Sequence, residues 1–316
     1  MIGLMAVTTS DHQPGTLHRF FDSDLWHSFT RSWLTMIAAS VTLVFFLGAL
    51  FAPWIAPHDP FDPRGLNLMN AFTPPLWHAD GKATFPLGTD NQGRDMLSAI
   101  MYGCRVSLMI GLAAICLSVT TGVLLGLAAG FRGGWLDALV MRIADIQLTV
   151  PAILTALTLD GVARAALPRD AHDQVAIWVL VLSIGFAYWP QFARVTRATT
   201  LAEKNKDYVN AARIIGVNPV KIALSHVLPN ALGPVLVIAT IELALAIIAE
   251  ASLSYLGVGM PPTQPSLGTL IRIGNAFLFS GEWWIVMFPA AALVILSLAV
   301  NLLGDWLRDA LNPKLR

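Results

Sequence analysis

Four stretches free of charged residues, Trp33 to Ile55, Val106 to Phe131, Gln174 to Ala193 and Trp283 to Leu303, constrain this chain more than anything else in it. Each is close to or above the ~20 residues an α-helix needs to cross ~30 Å of hydrocarbon. A bilayer core holds no water to satisfy backbone N–H and C=O groups, so such runs must be helical there. Two further stretches are apolar but interrupted. Leu136 to Leu159 carries Arg142, Asp145 and Pro151, and Asn230 to Leu256 carries Glu242 and Glu250. The expected fold class is an all-α integral membrane protein with six transmembrane helices, the third being the least regular. Composition agrees, because 55% hydrophobic and 13% charged residues leave too little charge to cover a soluble surface.

Twenty basic residues balance twenty acidic ones, so no whole-chain field draws the protein to nucleic acid, and membrane lipid is its expected surrounding. Cys104 and Cys116 lie at or in one apolar run, where thiols behave as small hydrophobes, so neither a disulfide nor a metal site is expected. The segment before Trp33 is polar and lacks a short apolar core with a small-residue cleavage site, so the first span is expected to persist as an anchor. Residues 1–32 then form an N-terminal segment and residues 33–316 the transmembrane domain. With the N-terminus cytoplasmic, the inner side holds thirteen basic residues: Arg19, Arg31, Arg132, Arg142, Arg194, Arg197, Lys204, Lys206, Arg213, Lys221, Arg308, Lys314 and Arg316. The outer side holds seven: Arg64, Lys82, Arg94, Arg105, Arg164, Arg169 and Arg272. The positive-inside rule therefore puts both termini and the 194–229 loop in the cytoplasm.

The external connection 56–102 is rich in Pro, Asp and Asn, too polar to insert and too long for a simple turn, and is expected to form a small cap. A second external segment, 257–282, contains Pro261, Pro262 and Pro265 and then SLGTLIRIGNAF, expected to be a short helix lying along the interface. On the other side, residues 203–229 read EKNKDYVNAARIIGVNPVKIALSHVLP. Tyr208 to Ile215 is helix-compatible, Gly216 suits the left-handed conformation past a helix end, and Asn218 before Pro219 matches an N-cap with proline at the first helical position. Two short helices joined by a tight turn follow. Ala211 and Ala212 are small enough to admit another surface, Ile214, Ile215 and Val217 gather apolar area beside the turn, and Pro229 marks re-entry into the membrane. From physics alone this element either docks a soluble partner or packs on its own helices.

The pattern Ala211-Ala212-x3-Gly216, then nine residues, then His226-x-Leu228-Pro229, resembles the EAA signature of permease subunits of ATP-binding cassette importers. Asn210 stands where that signature usually has glutamate, and His226 where it often has isoleucine. Three further blocks resemble the peptide and nickel importer branch. They are Phe85-Pro-Leu-Gly88-Thr-Asp90-x2-Gly93-Arg94-Asp95 with Tyr102-Gly-x-Arg105-x-Ser107-Leu108; Ala249-Glu250-Ala-Ser-Leu-Ser-Tyr-Leu-Gly257-Val-Gly259 with Pro265-Ser-Leu-Gly268; and Gly304-Asp305-x-Leu307-Arg308-Asp309-x-Leu311-Asn312-Pro313. The chain thus resembles the C-type permease subunit of a dipeptide or oligopeptide importer of the bacterial inner membrane.

This resemblance implies a type I importer fold whose cytoplasmic coupling helix docks on an ATPase subunit, through Asn210, Ala211, Ala212, Ile214, Ile215, Gly216, Val217, Pro219, Leu228 and Pro229. It implies as partners a second, B-type permease, two ATPase subunits and an extracytoplasmic solute-binding protein. ATP and Mg²⁺ would bind those ATPase subunits. The chain itself lacks a Walker A sequence, since its only Gly-Lys pair, Gly81-Lys82, precedes alanine, and no HExxH or GxSxG motif offers a catalytic residue. It is expected to be non-catalytic.

Charges inside spans are the remaining candidates. Glu242 is a pore or gating residue that meets a peptide ammonium, or the acceptor of a structural hydrogen bond from a neighbouring helix. Glu250 is expected to act in helix packing or gating near the external end. Gly88, Asp90, Arg94 and Asp95 are expected to fix the external loop against the second span. Arg142 with Asp145, and Asp305 with Arg308, are three apart on helices and expected to pair. Pro151 and Pro234 favour kinks, Trp283 and Trp284 read as interface anchors, and His226 as a packed histidine. Cargo stays open between peptides and nickel- or glutathione-like solutes. A proton-coupled secondary transporter using Glu242 or Glu250 explains the intramembrane charges but leaves the Ala-Ala-x3-Gly element without a purpose.

Overall fold

A computed structural model of the chain describes residues 24–62, 66–168 and 171–310, with side chains from residue 28 onward. Arg19, Arg64, Arg169, Leu311, Asn312, Pro313, Lys314 and Arg316 lie outside the described residues, as does most of the N-terminal segment. Helix α1 (Asp24–Arg31) leads into α2 (Trp33–Leu50), capped by Ser32, which accepts from the Thr35 N–H at 3.3 Å. A break at Phe51 gives the short α3 (Ala52–Ile55). Then come α4 (Met96–Arg132), α5 (Gly134–Leu148), α6 (Ala152–Ala166) and α7 (His172–Glu203). The 207–222 element follows as α8 (Asp207–Ile214) and α9 (Pro219–Ile222), which runs through a π turn (Ala223–Val227) into α10 (Leu228–Tyr255). Helix α11 (Leu267–Asn275) comes next, and α12 (Trp284–Ala310) completes the bundle. Among the described residues the only β pairing is one isolated bridge, Thr89 with Asp95.

Among the described residues, five helices are long and apolar enough to span a membrane, and six if α5 and α6 count as one broken span. Those two meet at 96°. The break falls where Pro151 can donate no backbone hydrogen bond and where the Thr149 hydroxyl turns back to the Ile146 carbonyl at 2.6 Å. The expected kink at Pro151 is thus a full corner. Helices α4 and α7 form the centre of the bundle. Gly122, Gly126 and Gly130, spaced by four on α4, let the α7 backbone come so close that a Cβ on Gly126 would sit 2.4 Å from the Ala193 carbonyl. Around this contact the apolar core gathers Ile110, Ala114, Leu180, Ile184 and Phe192 with Val235 and Leu253 of α10.

Several expectations change in three dimensions. Helix α11 packs closely on the bundle: Leu267, Thr269 and Leu270 are buried, and a Cβ on Gly268 would fall 2.2 Å from the Ala251 carbonyl of α10. Trp284 is no interface anchor, since it is buried and donates its indole N–H to the Thr89 carbonyl at 3.0 Å, whereas Trp283 stays 43% exposed. Asp145 pairs across helices with Arg194 at 2.6 Å and not with Arg142, because α7 lies closer to that face than the next turn of α5. Among the described residues, no ion pair joins Asp305 to Arg308.

Candidate functional site

The 207–222 element is built as its local chemistry dictates. Helix α8 ends at Ile214, Gly216 takes φ +80°, and the Asn218 side chain accepts from the Val220 N–H at 2.8 Å to cap α9 at Pro219. No atom lies within 4 Å of where a Gly216 Cβ would stand, so only the positive φ demands glycine there. The two alanines divide: Ala211 faces outward, while Ala212 is buried beside Val209, Ile222 and Val227 in a small core closed by Leu127. Val217 also leans on this core, and Leu228 packs against it and against the main bundle. Ile214 and Ile215 stand free at 86% and 78% exposure. Val220, absent from the sequence expectation, joins them at 65%. Its cue was available, because an apolar residue one position past Pro219 faces the same side as the turn.

Pro229 does not mark a break. Helix α9, the π turn and α10 form one continuous helical run, Pro219–Tyr255, with Pro229 directly after the π turn that interrupts the regular α-helical bonding there. The other root is equally firm. The Tyr208 hydroxyl donates to Glu203 at the end of α7 at 2.7 Å and accepts from Asn230 of α10 at 3.1 Å, so α8 is clamped between the two helices it joins. Lys206 donates to the same Glu203 at 2.6 Å, and that carboxylate holds its ammonium above the ordinary lysine value. Asn210, at the position of the usual glutamate, is exposed and accepts from Arg213 at 3.3 Å. His226 lies half-buried within the π turn, its Nδ1 unpartnered. The whole element is a stiff two-armed projection rooted in α7 and α10 with a free apolar tip.

At the opposite end, Gly88 (φ +80°), Asp90, Arg94 and Asp95 form a buried lock. Asp90 accepts from Arg94 Nε at 2.7 Å and from the Arg94 and Gln92 N–H groups at 3.0 and 2.8 Å. Arg94 reaches on to the Pro262 carbonyl at 3.3 Å, and Asp95 caps α4 by accepting from the Ser98 N–H at 2.8 Å. These contacts tie the loop to α4 and also to the 257–282 segment.

The two intramembrane glutamates differ. Glu250 is fully buried and accepts from the Ser107 hydroxyl of α4 at 2.6 Å and from Ser254 at 2.7 Å, while Ser107 also accepts from the Leu267 N–H of α11 at 3.3 Å. Through Ser107 it links α10, α4 and α11. Glu242 is buried at 4% exposure, and its Oε2 has no hydrogen-bond partner among the described residues. Among the described residues, the apolar tip of the 207–222 element and the Glu242 Oε2 are two features left without a partner.

Comparison with known proteins points the same way. Residues 122–316 match the family described as binding-protein-dependent transport system inner membrane component, and residues 21–75 match the N-terminal TM domain of oligopeptide transport permease C. The di/tripeptide transport system permease protein DppC of Pseudomonas aeruginosa is 37% identical over 293 residues, covering 93% of this chain and 92% of that protein. The dipeptide transport system permease protein DppC of Haemophilus influenzae is 36% identical, covering 93% and 95%. Among solved structures, a chain of the inward-facing MetNI methionine ABC transporter has the same fold, with a TM-score of 0.50 at 23% identity over 69% of this chain and 96% of that one.

Proposed function

The chain belongs to the family of binding-protein-dependent transport system inner membrane components, and from that premise we propose that it forms half of the pore of an ATP-driven peptide importer. Its place is the bacterial inner membrane, with both termini and the 194–229 loop in the cytoplasm. A related B-type permease completes the pore, an extracytoplasmic binding protein delivers cargo to the outer cap, and two ATPase subunits hold ATP and Mg²⁺. This chain contributes movement and a path, not catalysis.

The observation that carries the coupling role is the free apolar tip, Ile214, Ile215 and Val220, on a projection rooted in two spanning helices. When the ATPase subunits close on ATP, a docked tip is displaced with them. Because α9 continues into α10 and Tyr208 clamps α8 to α7, displacement of the tip becomes tilt of two pore helices. Glu242 lies on one of those helices, and its unpartnered carboxylate oxygen suits the ammonium of a peptide. The names of the relatives support di- or tripeptide cargo.

The test is uptake of labelled dipeptide into proteoliposomes holding the complete transporter. Replacing Gly216 by valine, which does not tolerate φ +80°, should abolish ATP-driven uptake while leaving the permeases inserted. Uptake that proceeds without the ATPase subunits would refute the reading.

A further inference from the structure

We propose that the groove between the cytoplasmic end of α4, the start of α5 and α9 binds one anionic phospholipid of the cytoplasmic leaflet; the choice of leaflet rests on the orientation proposed above. The groove has a volume of about 450 Å³, with walls that include Leu124, Leu127, Ala128, Leu136, Val220 and Leu224. From Leu124 to Arg132 it runs eight residues along α4, or about 12 Å at 1.5 Å per residue, room for much of one acyl chain.

Its character changes at one end. Arg132 is the only charged or polar side chain lining it, and Arg132 forms no ion pair among the described residues. Other basic residues nearby are engaged: Arg197 with Asp137, Arg194 with Asp145, Lys204 with the Gly130 carbonyl at 2.6 Å, and Arg213 over the Phe131 ring at 5.9 Å. Lys221, exposed and next to Val220, adds a second free cation on the α9 side. Trp135 begins α5 three residues beyond Arg132 at 70% exposure, as an aromatic at headgroup depth would be. One cation above an otherwise apolar slot matches an anionic headgroup with its tail. The same slot would leave the backbone amides of an extended protein segment without partners, which argues against an extended peptide as occupant. Basic pockets between helices on the cytoplasmic side are where anionic headgroups bind.

The site also spans a moving part. One wall is α4, in the centre of the bundle, and the other is α9, an arm of the projection. A lipid held between them favours the lever position in which the groove keeps its width, so anionic lipid content tunes coupling.

The full chain, purified together with the second permease but without ATPase subunits, is equilibrated with phosphatidylglycerol or phosphatidylcholine and retained lipid is counted by native mass spectrometry. One phosphatidylglycerol should be held in preference to phosphatidylcholine. Arg132→Ala should weaken that retention about fivefold, the worth of one basic residue at an anionic surface, with phosphatidylcholine unchanged. Arg132→Lys should keep the preference, and Ala128→Trp, which fills the groove from an exposed position without removing charge, should abolish retention. Equal retention of both lipids, or a preference that survives Arg132→Ala and Ala128→Trp, overturns the proposal. So does a result in which Ala128→Trp instead breaks co-purification of the second permease and spares lipid. Because no ATPase subunit is present, failure here is separate from failure of the coupling role.

Discussion

Replacing Ile214 and Ile215 together by serine isolates the docking energy of the tip. Full burial of an isoleucine side chain is worth about 1.5–3 kcal/mol. At 86% and 78% exposure, both side chains have most of that still to gain when a partner covers them. Removing both should cost the permease–ATPase contact roughly 3–5 kcal/mol, a weakening between about a hundredfold and a few thousandfold. The folded chain should barely notice, because neither residue belongs to the small core of Val209, Ala212, Ile222 and Val227 beneath them. The assay titrates ATPase subunits onto nanodisc-embedded permeases and follows binding, with thermal unfolding of the permease alone as control. Affinity within threefold of the parent would refute the reasoning, and a large drop in unfolding temperature would show that the tip packs internally.

Tyr208→Phe removes the hydroxyl that bonds Glu203 and Asn230 and should loosen α8 at its root by about 1 kcal/mol. Faster amide exchange across 207–216 and more ATP hydrolysed per peptide moved would report it. Ser107→Ala strips a donor from buried Glu250 and an acceptor from the Leu267 N–H; a destabilisation of about 1–3 kcal/mol is expected in thermal unfolding of the solubilised chain. Gly268→Ala places a Cβ 2.2 Å from the Ala251 carbonyl, so α11 must shift, and a disulfide-trapping or cross-linking distance between α10 and α11 should lengthen. Glu242→Gln, which keeps shape but removes charge, should reduce peptide uptake without altering ATPase binding, whereas equal uptake would remove Glu242 from the path.

The placement of five spans was legible in the sequence, because hydrocarbon thickness sets a fixed length that any crossing helix must meet with apolar residues, while the sixth, expected at 136–159, is two helices meeting at 96°. The turn at Gly216 and the cap at Asn218-Pro219 were legible too, since they depend on backbone chemistry within four residues. What the sequence left open turns on which helix faces which. Asp145 found Arg194 rather than Arg142, Trp284 turned into the bundle to reach Thr89, α11 sank against α10, and of two adjacent alanines only Ala212 was covered. Each outcome is fixed by helix rotation and by neighbours up to 195 residues away along the chain, and hydrophobic period carries no record of either. The sequence by itself determined that the chain crosses a membrane and bears a two-armed projection. Only the tertiary structure decided that both arms are rigidly rooted, because rooting depends on the end of α7 meeting the start of α10 through Tyr208.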